Sequence, residues 1–329
     1  MGLISVGVLR GGPSSEHEVS LRSGESVLEN IPKDKYLPRD IIITKEGEWF
    51  SRGVETRPER VSREVDVIFN CLHGEYGEDG KVQQILERHK IPYTGSGVFA
   101  SAAGMNKIIS RNIFERHGLL VPRGIVVKNG EDPEEAARII LRNMPPLWVI
   151  KPSRGGSSIG VTIASTFSDL ISALGESLRY GDQILVEERV EGREITCGLI
   201  EGFRGEEYYV LPPIEIIPHR GRKFFDYEAK YRGQSRELCP APLQKDLRDE
   251  IMRLAVEAHK AIGCRHYSRS DFIICSSQGK EGEIYALEIN TLPGLTSGSL
   301  IPKALEAVGA TRGQFLDHLI SMAMRGGAS

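Results

Sequence analysis

The chain contains 329 residues, of which 40% are hydrophobic and 26% are charged, and its formal net charge is −3. This length exceeds one ordinary domain and favours two or three, while the apolar fraction is sufficient for packed cores. The near-neutral charge argues against a nucleic-acid-binding protein, and no stretch approaches the roughly 20 apolar residues of a membrane span.

The first hundred residues alternate between strand and helix patterns. The first apolar run ends at Arg10 without a preceding basic segment, so it is too short for a signal peptide and predicts a strand. The predicted strands are Ile4–Leu9, Arg39–Ile43, Val65–Leu72 and the short Ile91–Tyr93, and the predicted helices are Glu18–Asn30 and Lys81–Glu87. Strand-helix-strand order predicts a parallel sheet covered by helices, with ligands at the carboxyl ends of its strands. Two polar, glycine-bearing loops, 10–16 and 71–75, follow those ends.

The remainder divides into a second α/β unit and a strand-rich third unit. In the second unit the predicted helices are 101–118, 133–142 and 168–178, and the predicted strands are 124–127, 147–151, 160–163 and 183–188. In the third, the predicted strands are 194–200, 208–217, 270–275 and 283–289, and the predicted helices are 245–262 and 313–324. These changes of pattern place domain boundaries near residues 98 and 188.

The cysteines indicate the compartment. There are five, they are scattered along the chain, and none forms a Cys-x-x-Cys pair. Ordinary buried thiols of this kind are typical of a reducing environment, and we therefore expect a cytoplasmic protein.

The segment PSRGGSSIGV, residues 152–161, follows a predicted strand that ends in Lys151. A lysine followed by glycines suits a phosphate-binding loop, because the ammonium neutralises charge and glycines let the backbone approach the ligand. The segment is not a Walker A loop, in which the lysine follows the glycines. Its composition alone favours a flexible surface turn slightly over a phosphate-binding loop.

Two late strands carry a set of oxygen donors. Residues alternate faces along a strand, so Arg269 and Asp271 share one face of the first strand, and Glu288 and Asn290 share one face of the second. If these strands pair, two carboxylates and an amide oxygen converge, and such an incomplete set suits Mg²⁺ that is held jointly with substrate phosphates. The alternative is an exposed face with ordinary charges. Asp and Asn are poor strand formers, which favours the metal site.

Three further segments are weaker candidates. The turn after Asn290 leads into a hydroxyl-rich loop whose backbone N–H groups could hold an anion, although Ser299 could simply cap a helix. Segment 224–231 has aromatics that could stack on a base and Lys230 that could meet phosphate, but aromatic runs are more often core. Segment 185–194 ends a strand in carboxylates that could bind a ribose or an amino group. By itself, this segment fits a solvated charged linker better.

Seven motifs in order give these segments a common interpretation. They are GGPSSEHEVS (11–20), HGEYGEDG (73–80), PYTGSG (92–97), KPSRGGSS (151–158), FDYEAKY (225–231), RSDF (269–272) and EINTLPG (288–294). Over nearly the whole chain this resembles the D-alanine–D-alanine ligases of the ATP-grasp superfamily. The resemblance implies an α/β fold, α+β in its ATP-grasp part. Residues 1–98 would form a parallel-sheet substrate domain, 99–188 a central subdomain with a phosphate lid, and 189–329 a C-terminal domain with the metal and second-substrate sites, so that ATP is sandwiched between the last two.

The resemblance also implies an activity. ATP would phosphorylate the carboxylate of one D-alanine, and the amine of a second would attack the acylphosphate, giving D-alanyl-D-alanine for peptidoglycan precursors. Two Mg²⁺ ions are expected, with Mn²⁺ as a substitute. The loop 152–161 and the segment around Lys230 would close over the site and exclude water. The expected partners are D-alanine and ATP, in a homodimer without nucleic acid or membrane.

Residue roles carry over by resemblance at the matching positions. The expected nucleotide contacts are Lys107, Lys151, Ser157, Ser158, Glu187, Val190, Glu194, Phe224 and Lys230, and the expected metal ligands are Asp271, Glu288 and Asn290. The expected substrate contacts are Glu16, Val19, His73, Ser299 and Leu300. The expected catalytic groups are Glu16, Ser157, Tyr231, Arg269, the backbone of Gly294, and Ser299.

Departures from the family pattern leave alternatives open. Asn106 stands where the family usually has Asp, and Gly298 stands where many relatives carry a larger residue beside the second-substrate pocket. D-serine or another D-amino acid is therefore an alternative acceptor, while Tyr231 favours a peptide over a depsipeptide product. A catalytically inactive nucleotide-binding module is the alternative of another class, and it would predict broken metal or phosphate ligands.

Overall fold

The computed structural model describes residues 2–155, 160–179, 182–218, 235–276 and 282–326, which form three sheets. The first sheet has the strand order β4-β3-β2-β1-β5. Its strands are β1 (Ile4–Gly11), β2 (Tyr36–Ile43), β3 (Trp49–Ser51), β4 (Val54–Thr56) and β5 (Val67–Asn70). Its helices are α1 (His17–Asn30), α2 (Pro58–Val61) and α3 (Lys81–Arg88). The predicted parallel pairing is confirmed, because β1 runs parallel to both β2 and β5.

The first sheet differs from the prediction at two points. Strands β3 and β4 extend it as an antiparallel hairpin, and three-residue strands are too short to give a readable alternation. The predicted strand Ile91–Tyr93 makes only an isolated parallel bridge between Tyr93 and Ile68.

Two consecutive helices, α4 (Val98–Met105) and α5 (Lys107–Arg116), replace the single predicted helix 101–118. The break lies at Asn106, whose side-chain oxygen accepts hydrogen bonds from the N–H groups of Ile108 and Ile109 at 3.1 Å each. Asparagine is a favoured N-cap because its side chain satisfies amides that the first helical turn leaves free. Asn106 thus starts α5 and places Lys107 at its first position.

The second sheet is antiparallel throughout, with the order β6-β9-β7-β8. Its strands are β6 (Gly124–Lys128), β7 (Trp148–Pro152), β8 (Thr162–Ala164) and β9 (Gln183–Glu188). Helices α6 (Pro133–Asn143) and α7 (Phe167–Ser177) pack against it around the fully buried Trp148. Helix α7 begins with a capping box between Thr166 and Asp169.

The third sheet, also antiparallel, has the order β13-β12-β10-β14-β15, with β11 paired to β10. Its strands are β10 (Gly192–Glu201), β11 (Tyr208–Val210), β12 (Ile214–Pro218), β13 (Ser235–Leu238), β14 (Tyr267–Cys275) and β15 (Ile284–Asn290), and α8 (Lys245–Ile262) packs on it. The predicted strand 208–217 is divided between β11 and β12. Pro212 and Pro213 separate the two, because proline has no N–H for the ladder.

The C-terminal helices join the first sheet to the third. Helices α9 (Leu300–Ala307) and α10 (Arg312–Gly326) contribute to one core that also contains Val8 and Phe69 of the first sheet and Tyr267 of β14. This shared core fixes the carboxyl ends of β1 and β5 beside β14 and β15. In the described ranges, no helix combines the length and apolar character needed to cross a membrane.

Candidate active site

Strands β14 and β15 bring the predicted oxygen donors together. Their antiparallel register places Asp271 opposite Glu288 and Arg269 opposite Asn290, which confirms the predicted pairing. The Arg269 guanidinium donates from Nε and Nη2 to the two carboxylate oxygens of Asp271, at 3.1 Å each. Asp271 also accepts from the Thr196 hydroxyl at 2.5 Å and is only 6% exposed. The buried carboxylate is therefore held in a fixed orientation beside a guanidinium.

The donor set suits a hard cation. Asp271 and Glu288 face each other across the ladder, and Asn290 adds an amide whose oxygen accepts from Leu292 N–H at 3.0 Å. Within the residues that the structure describes, no group of three or more His, Cys, Asp or Glu could hold a metal by itself. Two carboxylates and an amide fit Mg²⁺ in the manner typical of nucleotide sites, where phosphates and water complete the coordination.

A buried ion pair lies on the second sheet. Lys151 is the next-to-last residue of β7, and its Nζ lies 2.5 Å from Oε2 of Glu187 on the neighbouring strand β9. Burial lowers the pKa of Lys151, but the attraction of Glu187, Glu288 and Glu194 outweighs burial and raises that pKa above its usual value. Lys151 therefore carries a full positive charge inside a protein crevice. Arg111 of α5 lies 3.7 Å from the same Glu187.

A cavity of about 350 Å³ separates the second and third sheets. Its walls combine apolar side chains with charged ones. The apolar lining includes Val149, Ile163, Val190, Ile216, Ile273 and Leu287, and the charged lining includes Lys107, Lys151, Glu187, Glu194, Asp271 and Glu288. We call this cavity the intersheet pocket. Its apolar side chains suit an aromatic base, and its lysines and carboxylates suit a metal-bound polyphosphate.

A second cavity of about 480 Å³ adjoins the first. We call it the junction pocket, because it is lined both by α1 and loops beside the first sheet and by the turn that follows β15. The predicted residues in its lining are Glu16, Val19, His73, Lys107, Arg269, Glu288, Asn290, Gly294, Ser299 and Leu300. Lys107 and Glu288 line both cavities, so the two pockets meet at these two residues.

The loop between β1 and α1 supplies a carboxylate to the junction pocket. Glu16 is 6% exposed and lies at the N-cap of α1, where the helix dipole favours negative charge. Its position is fixed by Ser14, whose hydroxyl accepts from Glu16 N–H at 3.1 Å and donates to the carbonyl of His73 at 2.5 Å. The two glycine-bearing loops predicted to bind ligand are thus hydrogen-bonded to each other.

Every predicted site residue within the described ranges lines one of the two pockets. Five of the predicted residues, Ser157, Ser158, Phe224, Lys230 and Tyr231, lie outside the described residues. Sequence reasoning missed Arg111 and Thr196. Arg111 lies one helical turn after Lys107, so helical spacing could have indicated it, whereas Thr196 meets Asp271 only through the register of β10 and β14.

Comparison with known proteins identifies this architecture. Family models described as the D-ala D-ala ligase N-terminus and C-terminus match residues 5–62 and 51–96, and residues 113–321, respectively. A D-alanine–D-alanine ligase of Geobacter sulfurreducens is 42% identical over 91% of this chain and 87% of its own length. One from Citrifermentans bemidjiense is 39% identical over 97% of this chain and 95% of its own length.

Solved structures agree with the sequence comparison. The VanG D-Ala:D-Ser ligase from Enterococcus faecalis superposes with a TM-score of 0.85 at 32% identity, covering 98% of this chain and 100% of that one. The Bacillus anthracis D-alanine–D-alanine ligase complexed with ATP gives 0.81 at 30% identity, covering 98% of each chain. The fold is that of an ATP-grasp ligase. The chain belongs to the D-alanine–D-alanine ligase family.

Proposed function

We propose that this chain is an ATP-dependent ligase that joins two D-alanines into D-alanyl-D-alanine for peptidoglycan precursors, releasing ADP and phosphate. The observation that carries the proposal is the meeting of the intersheet and junction pockets at Glu288. A nucleotide in the first pocket would direct its terminal phosphate toward an amino acid in the second. Family membership supports the same assignment.

Phosphoryl transfer depends mainly on positioning and charge neutralisation. Lys107 and Lys151 line the intersheet pocket and supply positive charge for the phosphates. Glu187, Val190 and Glu194 line the same pocket and would contact the adenine and ribose. Asp271, Glu288 and Asn290 would hold Mg²⁺, or Mn²⁺ in its place, and two such ions would neutralise the phosphate charge.

The junction pocket would hold the amino acids. Glu16 would bind the ammonium of the first D-alanine, and Val19 and His73 would complete that subsite. Arg269 and the Gly294 N–H would face the oxyanion of the tetrahedral intermediate, where fixed donors contribute most to the rate. Closure by the segments that carry Ser157, Ser158, Phe224, Lys230 and Tyr231 would keep water from the acylphosphate.

The second substrate would bind near Ser299 and Leu300. D-serine is a second candidate acceptor, and one structural feature favours it. A Cβ atom added at Gly298 would meet nothing within 4 Å, so the lining there leaves space beside Ser299 for a larger side chain. The similarity to a D-Ala:D-Ser ligase agrees with this alternative.

The decisive experiment is identification of the products by mass spectrometry after incubation with ATP, Mg²⁺ and an equimolar mixture of D-alanine and D-serine. We expect D-alanyl-D-alanine as the main dipeptide. A mixed dipeptide in excess would move the assignment to D-serine. Phosphate release that stays at background with D-alanine and Mg-ATP would instead support an inactive nucleotide-binding module.

We further infer that the chain forms a homodimer and works as three units, 1–98, 99–188 and 189–329. Family resemblance supports both statements. Phe99 is 72% exposed at the start of α4, close to the first of these boundaries, and an apolar side chain there suits a subunit contact. Sedimentation of Phe99→Glu beside the unmodified chain tests this role, and an unchanged dimer would exclude it.

A further inference from the structure

A row of four polar groups connects the first sheet to the turn that follows β15. Nδ1 of His73 lies 3.5 Å from Oε1 of Glu78, and Nε2 of the same ring lies 2.8 Å from Ser23 Oγ. The N–H of Leu295 donates to that Ser23 oxygen at 3.4 Å, across 272 positions of sequence. The row therefore joins α1 and the loop of His73 to the EINTLPG turn.

Burial fixes the direction of the hydrogen bonds. Ser23 is 0% exposed and His73 is 5% exposed, and buried polar groups of this kind find partners within the protein. The Leu295 amide can only donate, so Ser23 Oγ accepts from it. Among the described residues, Nε2 of His73 is the one acceptor within reach of the buried Ser23 hydroxyl, so that hydroxyl directs its own proton to Nε2. His73 then carries its proton on Nδ1, toward Glu78, and Glu78 also accepts from Gly74 N–H at 2.9 Å.

The turn itself is held at three points. At its start, the side chain of Asn290 accepts from Leu292 N–H at 3.0 Å, and at its end the hydroxyls of Thr296 and Ser299 lie 2.8 Å apart. Both of these contacts lie within the turn. The hydrogen bond from Leu295 N–H to Ser23 lies in the middle of the turn, and Ser23 belongs to α1 beside the first sheet. It therefore sets the position of the turn relative to the loops that carry the first-substrate subsite.

We propose that Ser23 is a positioning residue for the ligase reaction. By holding the Leu295 amide, Ser23 fixes the peptide next to Gly294 and so aims the Gly294 N–H into the junction pocket. His73 and Glu78 hold Ser23 in place, and they thereby connect the turn after β15 to the loop that carries His73. The inference rests on the proposed function, in which that N–H stabilises an oxyanion, and such donors lose their effect when they are displaced by about 1 Å.

The test compares two buried serines of one helix. Ser23→Ala removes the row, whereas the matched control Ser20→Ala removes a serine that is also 0% exposed. Among the residues that the structure describes, the Ser20 hydroxyl bonds only to Gly11 N–H and the Cys71 carbonyl, at 2.8 Å each, and both of these groups lie at the ends of strands of the first sheet. In an ADP-release assay with D-alanine, we expect Ser23→Ala to lower kcat by about tenfold or more with the KM for ATP unchanged. Ser20→Ala should keep the kcat of the unmodified enzyme.

Equal kcat values for Ser23→Ala and the unmodified enzyme would overturn the proposal, as would an equal loss of kcat in Ser20→Ala. A second measurement covers a Ser23→Ala variant that does not fold. Nitrogen-15 NMR of the histidine rings, assigned with His73→Asn, should show the His73 proton on Nδ1 in the unmodified protein. A proton on Nε2 would overturn the row of hydrogen bonds.

The two proposals fail in different ways. An unmodified protein that releases no ADP with D-alanine and Mg-ATP overturns the proposed function, and with it the catalytic consequence of Ser23. An active enzyme in which Ser23→Ala is also fully active overturns only the positioning role.

Discussion

Replacement of His266 by asparagine should make the stability of this protein less sensitive to acid. His266 is 7% exposed and lies between the first sheet's unit and β14. Its ring Nδ1 accepts from Gly95 N–H at 3.0 Å, and the backbone N–H of His266 donates to Oε2 of Glu201 at 2.5 Å. Burial, and next the charge of Arg265, lower the pKa of His266 from 6.5 to about 4, although Glu201 opposes them.

The sign of the effect follows from proton linkage. Between the unfolded pKa of 6.5 and the folded pKa of about 4, the unfolded chain binds a proton at His266 that the folded chain does not. The free energy of unfolding therefore falls as the pH falls through this window. For these two pKa values, linkage gives a loss of about 2 kcal/mol between pH 7 and pH 5.

Replacement by asparagine removes the titration of His266 but keeps the hydrogen bond to Gly95. Its Oδ1 can accept the Gly95 N–H in place of Nδ1, and asparagine tolerates the left-handed backbone of position 266, where φ is 66°. The variant should therefore fold and lose only the ionisable group.

Urea denaturation at pH 7 and pH 5 measures the difference. We expect the acid-induced loss of unfolding free energy to be about 2 kcal/mol smaller in His266→Asn than in the unmodified chain. His117→Asn is the control, because His117 is exposed on the surface. Equal pH dependence in the unmodified chain and His266→Asn would refute the reasoning.

Three other variants test the site and its scaffold. Glu288→Gln keeps the side-chain volume but removes a metal-binding charge, so phosphate release should fall by about a hundredfold or more with an unchanged circular dichroism spectrum; an unchanged rate would exclude the metal role. Lys151→Met leaves buried Glu187 without its partner at 2.5 Å and should cost about 3 kcal/mol in urea titrations. Adding Glu187→Gln should restore most of that stability but not ATP binding measured by calorimetry. Asn106→Ala removes an N-cap and should cost about 1 kcal/mol, whereas Asn106→Asp should keep the melting temperature; equal losses would exclude capping.

Local periodicity predicted most elements of this fold. Helix 245–262 was predicted with both of its ends, because a long amphipathic pattern bounded by Gly263 is unambiguous. Two of the errors lie where a capping residue or prolines override the pattern. Asn106 divides one apolar stretch into two helices, and Pro212 with Pro213 divides one strand pattern into two strands. The boundaries at residues 98 and 188 stay predictions.

The residues of the candidate site could be predicted where they belong to short sequence motifs. Alternation along a strand was sufficient to place Arg269 beside Asp271, because residues two apart share one face. The order of seven motifs then supplied the family and the expected roles. The assigned roles of all the site residues stay predictions, and five of these residues, Ser157, Ser158, Phe224, Lys230 and Tyr231, lie outside the described ranges.

Residue type, spacing and hydrophobic period thus specified which groups could carry the chemistry. Their arrangement came from packing. The pairing of Lys151 with Glu187 depends on the register of β7 and β9, and the contact of Ser23 with Leu295 depends on a core shared between the first sheet and the C-terminal helices. These contacts join residues 36 and 272 positions apart. No local pattern encodes such distances, because they are fixed only when the buried faces of separate elements pack together.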